Sequence, residues 1–289
     1  LGDVYKRQIL ADEMGLGKTL QVIGFLLSEL EEAEPGENKR CLIVCPASLV
    51  FNWVSEFQKF APNLLVKAVV GSSQEREELL QCCGEQEILV TSYDLLKRDI
   101  LLYEKLSFFC QVLDEAQYIK NHGTQSAKAA KGIFSAFRLA LTGTPVENRL
   151  SELWSIFDYL LPGFLYSYER FRREFEIPIV QKQEEEARKR LQKMVRPFIL
   201  RRVKKDVLKD LPEKMEKNVY AVMEGEQKEL YDAHAQRLKL MLSNQTEEEF
   251  SSSRIKVLSE LTKLRQLCCC PALVLSLIHI SEPTRRSYI

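Results

Sequence analysis

The stretch ILADEMGLGKTLQVI, residues 9–23, decides the fold. Gly17, Lys18 and Thr19 open a run in which apolar residues recur at helical spacing through residue 30. Glycines let backbone N–H groups close on phosphate oxygens, and a helix N-terminus adds the positive end of its dipole. The stretch therefore predicts a phosphate-binding loop in which Lys18 reaches the β- and γ-phosphates and Thr19 binds Mg²⁺.

Asp12 departs from the strict phosphate-loop pattern GxxxxGK[ST], because it occupies the position of the first glycine. The alternative interpretation of this stretch is a glycine-rich helix start without a ligand.

An acidic pair follows an apolar run in FFCQVLDEAQ, residues 108–117. In a nucleotide site, Asp114 would hold Mg²⁺ through its hydration shell, and Glu115 would orient or deprotonate the attacking water. The alternative is an ordinary strand end with solvated acids. The two motifs together favour a nucleotide site.

Five short apolar runs alternate with helical patterns in the first half of the chain. Near-continuous apolar runs of this kind are typical of a parallel sheet covered by helices on both faces, so we predict an α/β fold. The predicted strands are CLIVC (41–45), VKAVV (66–70), ILVTS (88–92), FCQVL (109–113) and RLALT (138–142).

The strand pattern is lost from about Pro162. Residues 168–193 are charged and helical in pattern, which is typical of a solvated helix face. Further on we predict one strand at 218–223, helices at 227–242 and 254–267, and a polar loop at 245–253.

The composition excludes several classes of protein. Of the 289 residues, 45% are apolar and 28% charged, as in a soluble globular protein. Lys+Arg and Asp+Glu both number 41, so net charge gives no argument for binding nucleic acid or a membrane. No apolar run approaches the roughly 18 residues of a membrane span. The eight cysteines form no CxxC pair, which favours buried, reduced thiols over zinc.

The two ends of the chain are related at the level of DNA. DVYKRQ (3–8) and LSLIHI (275–280) can be encoded by one inverted element that is translated on both strands. Both resemble translated sequencing adapters of the transposon type. We therefore expect residues 1–8 and 275–289 to be non-native, and the chain to be an internal fragment of about residues 9–274.

Several motifs resemble those of the sucrose-nonfermenting-type (SWI/SNF-like) ATPases of helicase superfamily two, in particular the bacterial members. The resemblance covers nearly all of residues 9–274, and Asp12 is itself common in that family. The motifs are ADEMGLGKT (11–19), CPASLVFNW (45–53), DEAQYIKN (114–121), LTGTPVEN (141–148), RPFILRRVKKDV (196–207) with LPEK (211–214), and LRQLCCCPALV (264–274).

The resemblance implies an ATPase that uses Mg²⁺ and moves along double-stranded DNA. It implies a RecA-like P-loop NTPase lobe at 9–161, a helical protrusion with a basic brace at 162–217 and the helical start of a second lobe at 218–274. The implied nucleotide ligands are Asp12, Gly15, Gly17, Lys18 and Thr19, with Asp114 and Glu115 as catalytic carboxylates.

Other roles follow from the same resemblance. Gln117, with the segment Thr142, Gly143 and Thr144, would sense the γ-phosphate and pass its state to the DNA side. Candidate contacts to the DNA backbone are Ser48, Asn52 and Ser92. For the neighbouring Trp53 and Tyr93, core packing remains the alternative.

The basic stretch at 196–209 carries six cations, Arg196, Arg201, Arg202, Lys204, Lys205 and Lys209, against Asp206. They could neutralise DNA phosphates without reading sequence; the compatible alternative is a structural brace for the first lobe. The zero net charge is a cancellation, since 9–161 contains 14 basic and 21 acidic residues, whereas 162–217 contains 16 and 10.

In such motors a second lobe supplies arginine fingers, worth roughly 10³–10⁵ in rate, so we expect this fragment alone to hydrolyse ATP very slowly. The alternatives are a restriction-type translocase or RNA helicase of the same superfamily, and a non-catalytic scaffold that binds nucleotide or DNA. We expect no membrane partner, and a location in the bacterial cytoplasm at the nucleoid, or in the nucleus of a eukaryote. The sequence does not indicate protein partners.

Overall fold

The computed structural model describes residues 7–34, 36–143, 150–207, 217–220, 222–243 and 247–269. The chain divides into two compact units, Leu1–Pro212 and Glu213–Ile289, which are described separately.

The first unit is built on a parallel sheet, which confirms the predicted α/β fold. Its described residues form seven strands in the order β3-β4-β2-β5-β6-β1-β7, all parallel. The strands are β1 (Arg7–Leu10), β2 (Cys41–Cys45), β3 (Val66–Ala68), β4 (Ile88–Ser92), β5 (Phe108–Leu113), β6 (Ser135–Leu141) and β7 (Ile199–Leu200).

Helices cover both faces of this sheet. Alternate residues of β2 point into different cores: Leu42 and Val44 pack into one, and Cys41 and Ile43 into the other. Such a fully buried strand has no polar face, which explains its continuous apolar run. The helices are α1 (Lys18–Glu31), α2 (Val50–Phe60), α3 (Ser73–Gln81), α4 (Tyr93–Arg98), α5 (Ile100–Tyr103), α6 (Gln125–Gly132) and α7 (Leu150–Leu160).

The predicted strands match the observed ones with shifts at their ends. CLIVC and ILVTS coincide with β2 and β4, whereas β3 ends two residues early and β6 begins three residues early. Strand ends are set by pairing with neighbours, which apolar patterning does not specify.

A series of short helices leads from α7 to the last strand of the sheet. It comprises α8 (Tyr168–Phe171), a π-helical turn (Arg172–Glu176), α9 (Ile177–Val180), α10 (Glu185–Val195), a 3₁₀ turn (Arg196–Phe198) and, after β7, α11 (Lys204–Val207). Strand β7 was not predicted. It pairs with β1, Ile199 opposite Ile9 and Leu200 opposite Leu10. Both residues of β7 belong to the basic stretch at 196–209.

Strand β1 includes two residues that we expected to be non-native. Arg7 pairs with Arg138 and Gln8 with Leu139 in the ladder between β1 and β6. Because ladder bonds are made by the backbone, they do not depend on the origin of these side chains.

The described residues of the second unit form two helices, α12 (Gly225–Ser243) and α13 (Glu247–Cys269). They run antiparallel, because Gln227 Nε2 donates to the Leu267 oxygen at 2.7 Å, and His234 Nδ1 lies 3.0 Å from Glu260 Oε2. Both predicted helices are confirmed.

Two predictions for this unit are wrong. The described residues of 218–223 form no strand, and the predicted polar loop at 245–253 is helical from Glu247 onward. Polar composition is common to loops and to solvent-facing helices, so the sequence alone does not distinguish the two here.

Only some of the cysteine thiols are buried, although the sequence predicts burial for all of them. Cys41, Cys45 and Cys110 are buried in the sheet, whereas Cys82, Cys268 and Cys269 are exposed. A cysteine at an apolar position of a strand has its thiol buried in the core, whereas a cysteine on the surface or at the end of a helix is exposed. None of the helices within the described ranges is long and apolar enough to cross a membrane.

Candidate functional site

The phosphate loop is the segment between β1 and α1, residues 11–17. Gly15 and Gly17 adopt left-handed backbone angles, with φ of 85° and 75°, which a side chain would strain. No side chain caps the N-terminus of α1, so its first N–H groups remain available to an anion. Lys18 Nζ donates to the Asp12 carbonyl oxygen at 2.8 Å, and Thr19 is half-buried beside it.

The Asp12 carboxylate is buried and bound by protein groups. It is 0% exposed and accepts bonds from the Arg202 main-chain N–H (2.9 Å), the Arg202 guanidinium and Gln21 Nε2 (3.2 Å). Burial raises the pKa of Asp12, but the bonds from Arg202 and Gln21 outweigh it and hold that pKa below its ordinary value.

Two of the predicted site residues are bound to each other. The Asp12 carboxylate is held by Arg202 and Gln21 and anchors the loop. Arg202 is ion-paired with it and is therefore not an unengaged cation for DNA phosphates.

The acidic pair lies directly after β5. Asp114 Oδ1 accepts from the Glu115 N–H at 2.9 Å, and its Oδ2 accepts from Trp53 Nε1 at 2.9 Å. Burial raises the pKa of Asp114, and the nearby Glu115 carboxylate adds to that rise. Glu115 itself has a left-handed φ of 50°, a strained value of the kind that collects at functional sites.

A chain of side-chain hydrogen bonds connects the acidic pair to the end of β6. Gln117 Nε2 donates to Glu115 Oε2 at 2.6 Å, and Thr142 Oγ1 donates to Gln117 Oε1 at 3.2 Å. Gly143 follows Thr142 in the chain, and Thr144 lies outside the described residues. The predicted sensing residues that the structure describes are thus brought together with the candidate catalytic acid.

These groups share one edge of the sheet. The phosphate loop, the acidic pair and Thr142 follow the carboxyl ends of β1, β5 and β6, where parallel sheets place their ligands. Within the described part of the chain, His, Cys, Asp and Glu form no cluster of three that could hold a metal. A magnesium site here would use Thr19, Asp114 and phosphate oxygens, which is how Mg²⁺ is commonly held.

The candidate DNA contacts differ in exposure. Ser48 is exposed in the 3₁₀ turn Ala47–Leu49 that precedes α2, and Asn52 is exposed in the first turn of α2. Ser92 is 3% exposed, and its hydroxyl accepts from the Leu95 N–H as the cap of α4, so its side chain presents no group to a DNA strand. Trp53 and Tyr93 are buried, which confirms core packing for both.

The basic stretch braces the phosphate loop. The Ala11 N–H donates to the Leu200 oxygen at 2.7 Å, and the Glu13 N–H donates to the Arg202 oxygen at 3.0 Å. The Lys204 N–H in turn donates to Glu13 Oε2 at 2.7 Å. The structural alternative for this stretch is therefore observed. Arg196, Arg201 and Lys205 remain exposed, Lys204 is half-buried, and Lys209 lies outside the described residues.

Three supporting side chains were not predicted as part of the nucleotide site. Trp53 binds the Asp114 carboxylate, and Tyr93 Oη donates to the Asp114 main-chain oxygen at 2.8 Å. Arg202 pairs with Asp12. Each contact joins residues far apart in the chain, and no spacing in the sequence indicates it.

Comparisons with known proteins agree with this geometry. The family model described as "SNF2-related domain" matches residues 5–273. A solved structure, the Sulfolobus solfataricus SWI2/SNF2 ATPase core in complex with dsDNA, has a TM-score of 0.64 and 37% identity. That match covers 94% of this chain and 57% of the solved one.

Curated relatives come from bacteria and eukaryotes. An uncharacterized ATP-dependent helicase of Mycoplasma genitalium is 42% identical over 90% of this chain and 24% of its own length. The putative ATP-dependent helicase/translocase YwqA of Bacillus subtilis is 37% identical over 92% of this chain and 29% of its own. TATA-binding protein-associated factor MOT1 of Saccharomyces cerevisiae is 38% identical, with 94% and 16% covered. The chain thus spans only 16–29% of the lengths of these relatives.

Proposed function

The chain belongs to the SNF2-related domain family, and we propose that it forms the ATP-binding first lobe of an ATPase that is stimulated by double-stranded DNA and translocates along it. The observation that carries this proposal is the convergence of Lys18, Thr19, Asp114 and Glu115 at one edge of a parallel sheet.

ATP fits the phosphate loop. Two left-handed glycines and the uncapped start of α1 leave backbone N–H groups available to an anion. Lys18 is the first residue of that helix. Bound Mg²⁺ would neutralise phosphate charge, and Thr19 and Asp114 are the groups that would hold it. Lys18 must exchange its bond to the Asp12 carbonyl oxygen for one to a phosphate oxygen.

Glu115 would orient and deprotonate the water that attacks the γ-phosphate. Gln117 holds the Glu115 carboxylate and is itself held by Thr142. A change at the phosphate can therefore be passed along these hydrogen bonds to the end of β6.

DNA would lie against exposed groups of the first lobe and of the basic stretch that braces it. Ser48 and Asn52 on one segment, and Arg201 and Lys205 on the basic stretch, are exposed. Contacts to phosphates position a protein without reading base sequence and make its affinity depend on salt. The dsDNA in the complex of the Sulfolobus relative supports this choice of partner. Such a protein would work at the chromosome, in the bacterial nucleoid or in the nucleus of a eukaryote.

We assign residues 9–161 to the first lobe, 162–217 to the helical protrusion with its brace, and 218–274 to the start of a second lobe. Residues 1–8 and 275–289 remain assigned as non-native. The return of the chain to the sheet through β7 supports the bracing role. Because a second lobe contributes arginine fingers worth roughly 10³–10⁵ in rate, substantial hydrolysis requires the full-length protein.

Steady-state ATP hydrolysis by the full-length protein that contains this chain tests the proposal. Duplex DNA should stimulate hydrolysis, and Lys18→Ala or Glu115→Gln should abolish it. Equal rates with and without duplex, or stimulation by RNA alone, would contradict DNA translocation. ATP binding without any turnover would favour the non-catalytic scaffold.

A further inference from the structure

The side chain of Lys204 lies over the phosphate loop, although the residue follows Gly15 in the chain by almost the whole length of the first unit. A Cβ atom placed on Gly15 would meet Lys204 Cε and Nζ at 3.3 Å each. The absence of a side chain at Gly15 therefore leaves room for this lysine.

The backbone fixes Lys204 in this place. Its N–H donates to Glu13 Oε2 at 2.7 Å, and the Glu13 N–H donates to the Arg202 oxygen at 3.0 Å. Arg202 is in turn paired with the buried Asp12. The lysine is thus carried on a segment that is tied to the loop at three consecutive residues, Ala11, Asp12 and Glu13.

The three cations around the phosphate loop differ in whether a negative charge neutralises them. Asp12 neutralises Arg202, and Lys18 Nζ is bound to a main-chain oxygen. Within the ranges that the structure describes, the Lys204 ammonium has neither an ion pair nor a hydrogen-bond acceptor. An ammonium without a counter-ion, on a half-buried residue beside the uncapped N–H groups of α1, is suited to a phosphate oxygen.

We propose that Lys204 is a nucleotide ligand that binds a phosphate of ATP together with Lys18. This inference rests on the proposed ATP site, and it moves Lys204 from the candidate DNA contacts to the nucleotide site. The basic stretch then has two functions: Arg202 positions the loop, and Lys204 completes its positive charge.

Nucleotide affinity of the full-length protein, measured with Mg²⁺ and ATP in the absence of DNA, tests the assignment. Lys204→Gln keeps the main-chain bond to Glu13 and removes only the charge, so the brace is retained. Loss of one charge-assisted hydrogen bond should weaken ATP binding about tenfold or more. Lys204→Arg should restore most of the affinity. The matched control is Lys193→Gln, on the exposed face of α10, which should bind ATP like the wild type.

Amine acetylation followed by peptide mass spectrometry gives a second readout. ATP should protect Lys204 and Lys18 from acetylation and leave Lys193 unprotected. Equal labelling of Lys204 with and without ATP would overturn the inference. So would a Lys204→Gln variant with unchanged ATP affinity and weaker DNA binding.

The outcome for Lys18→Ala separates the two proposals. If Lys18→Ala retains wild-type affinity for ATP, the proposed nucleotide site itself fails. If Lys18→Ala loses affinity while Lys204→Gln does not, only the role of Lys204 is refuted.

Discussion

The indole nitrogen of Trp53 lies 2.9 Å from Oδ2 of Asp114. Tyr93, from another segment, donates its hydroxyl to the main-chain oxygen of the same aspartate at 2.8 Å. Trp53 directly follows the exposed Asn52, and Tyr93 follows Ser92 in the chain. Asp114 therefore joins the nucleotide site to two other segments, one of which carries the exposed candidate DNA contact Asn52.

Trp53→Phe should weaken the apparent affinity of the ATPase for Mg²⁺ and lower its stimulation by DNA. The substitution keeps an aromatic ring in the core but removes the N–H that orients the Asp114 carboxylate. Partners that orient a metal-binding group typically account for 10–100-fold in metal affinity or activity. We expect the Mg²⁺ concentration for half-maximal ATPase activity to rise about tenfold, measured by magnesium titration with and without duplex.

Tyr93→Phe is the matched control for Trp53→Phe. It removes a hydrogen bond to the main chain of Asp114 and keeps the ring stack with Tyr118, whose centroid lies 5.1 Å away. It should cost about 1 kcal/mol of folding free energy and leave the magnesium titration unchanged. Equal magnesium curves for the two variants would show that the Trp53 bond only stabilises the fold.

Removing the Arg202 side chain should destabilise the fold more than removing the charge of Asp12. Arg202→Ala leaves a carboxylate that is 0% exposed without its cation, so we expect a loss of about 2–3 kcal/mol in the free energy of unfolding. Asp12→Asn leaves an arginine whose side chain is 42% exposed and can be solvated, so about 1 kcal/mol is expected. Urea unfolding of both variants measures the difference; a larger loss for Asp12→Asn would contradict this account.

The same pair predicts a dependence of stability on pH. Because the pKa of Asp12 is lower in the folded protein, its stabilising contribution is present above the ordinary Asp pKa of about 3.9 and is lost as pH falls through the lowered value. In Arg202→Ala, burial is opposed by fewer bonds, so the Asp12 pKa should rise. The stability gap between wild type and Arg202→Ala should therefore be larger at neutral pH than at about pH 3.

The control for this pH effect is Arg202→Ala in a protein that lacks the Asp12 carboxylate. In an Asp12→Asn background, Arg202→Ala should change the free energy of unfolding by the same amount at both pH values. A pH-dependent change in that background would assign the effect to other groups.

Gln117→Glu should uncouple the acidic pair from β6. It places a second carboxylate where Gln117 Nε2 now donates to Glu115 at 2.6 Å, so the two acids repel each other. We expect DNA-stimulated hydrolysis to fall at least tenfold while ATP binding is retained. Thr142→Val, which removes the hydroxyl donor to Gln117, should lower the stimulation by DNA more than the basal rate. Steady-state rates at saturating ATP provide both comparisons, and unchanged stimulation in both variants would argue against transmission through these bonds.

The sheet and the main nucleotide residues could be predicted from local patterns. Buried parallel strands such as β2 leave a continuous apolar run, and the phosphate loop needs glycines and a lysine at fixed positions. The acidic pair was recognisable because it directly follows such a run. In each case the information is contained in a few consecutive residues.

The braces of the site could not be predicted in this way. Strand β7 has only two residues, and its pairing with β1 depends on the fold that brings them together. Arg202 is one cation in a basic stretch, and nothing local distinguishes it from Arg201, which is exposed. For the same reason the sequence offers Ser92 as a candidate DNA contact, although its hydroxyl caps a helix.

The position of β1 between β6 and β7 also determines the order in which the lobe is completed during synthesis. The strand that carries the phosphate loop is made before both of its neighbours, and its partners Arg138 and Ile199 emerge from the ribosome much later. At translation rates of about 5–20 residues per second, Ile199 follows Ile9 by roughly ten to forty seconds. Such distant pairings are entropically costly and slow to form. The strand next to the most recognisable motif thus completes its pairing only after β7, the last of the described strands in the chain, has been made.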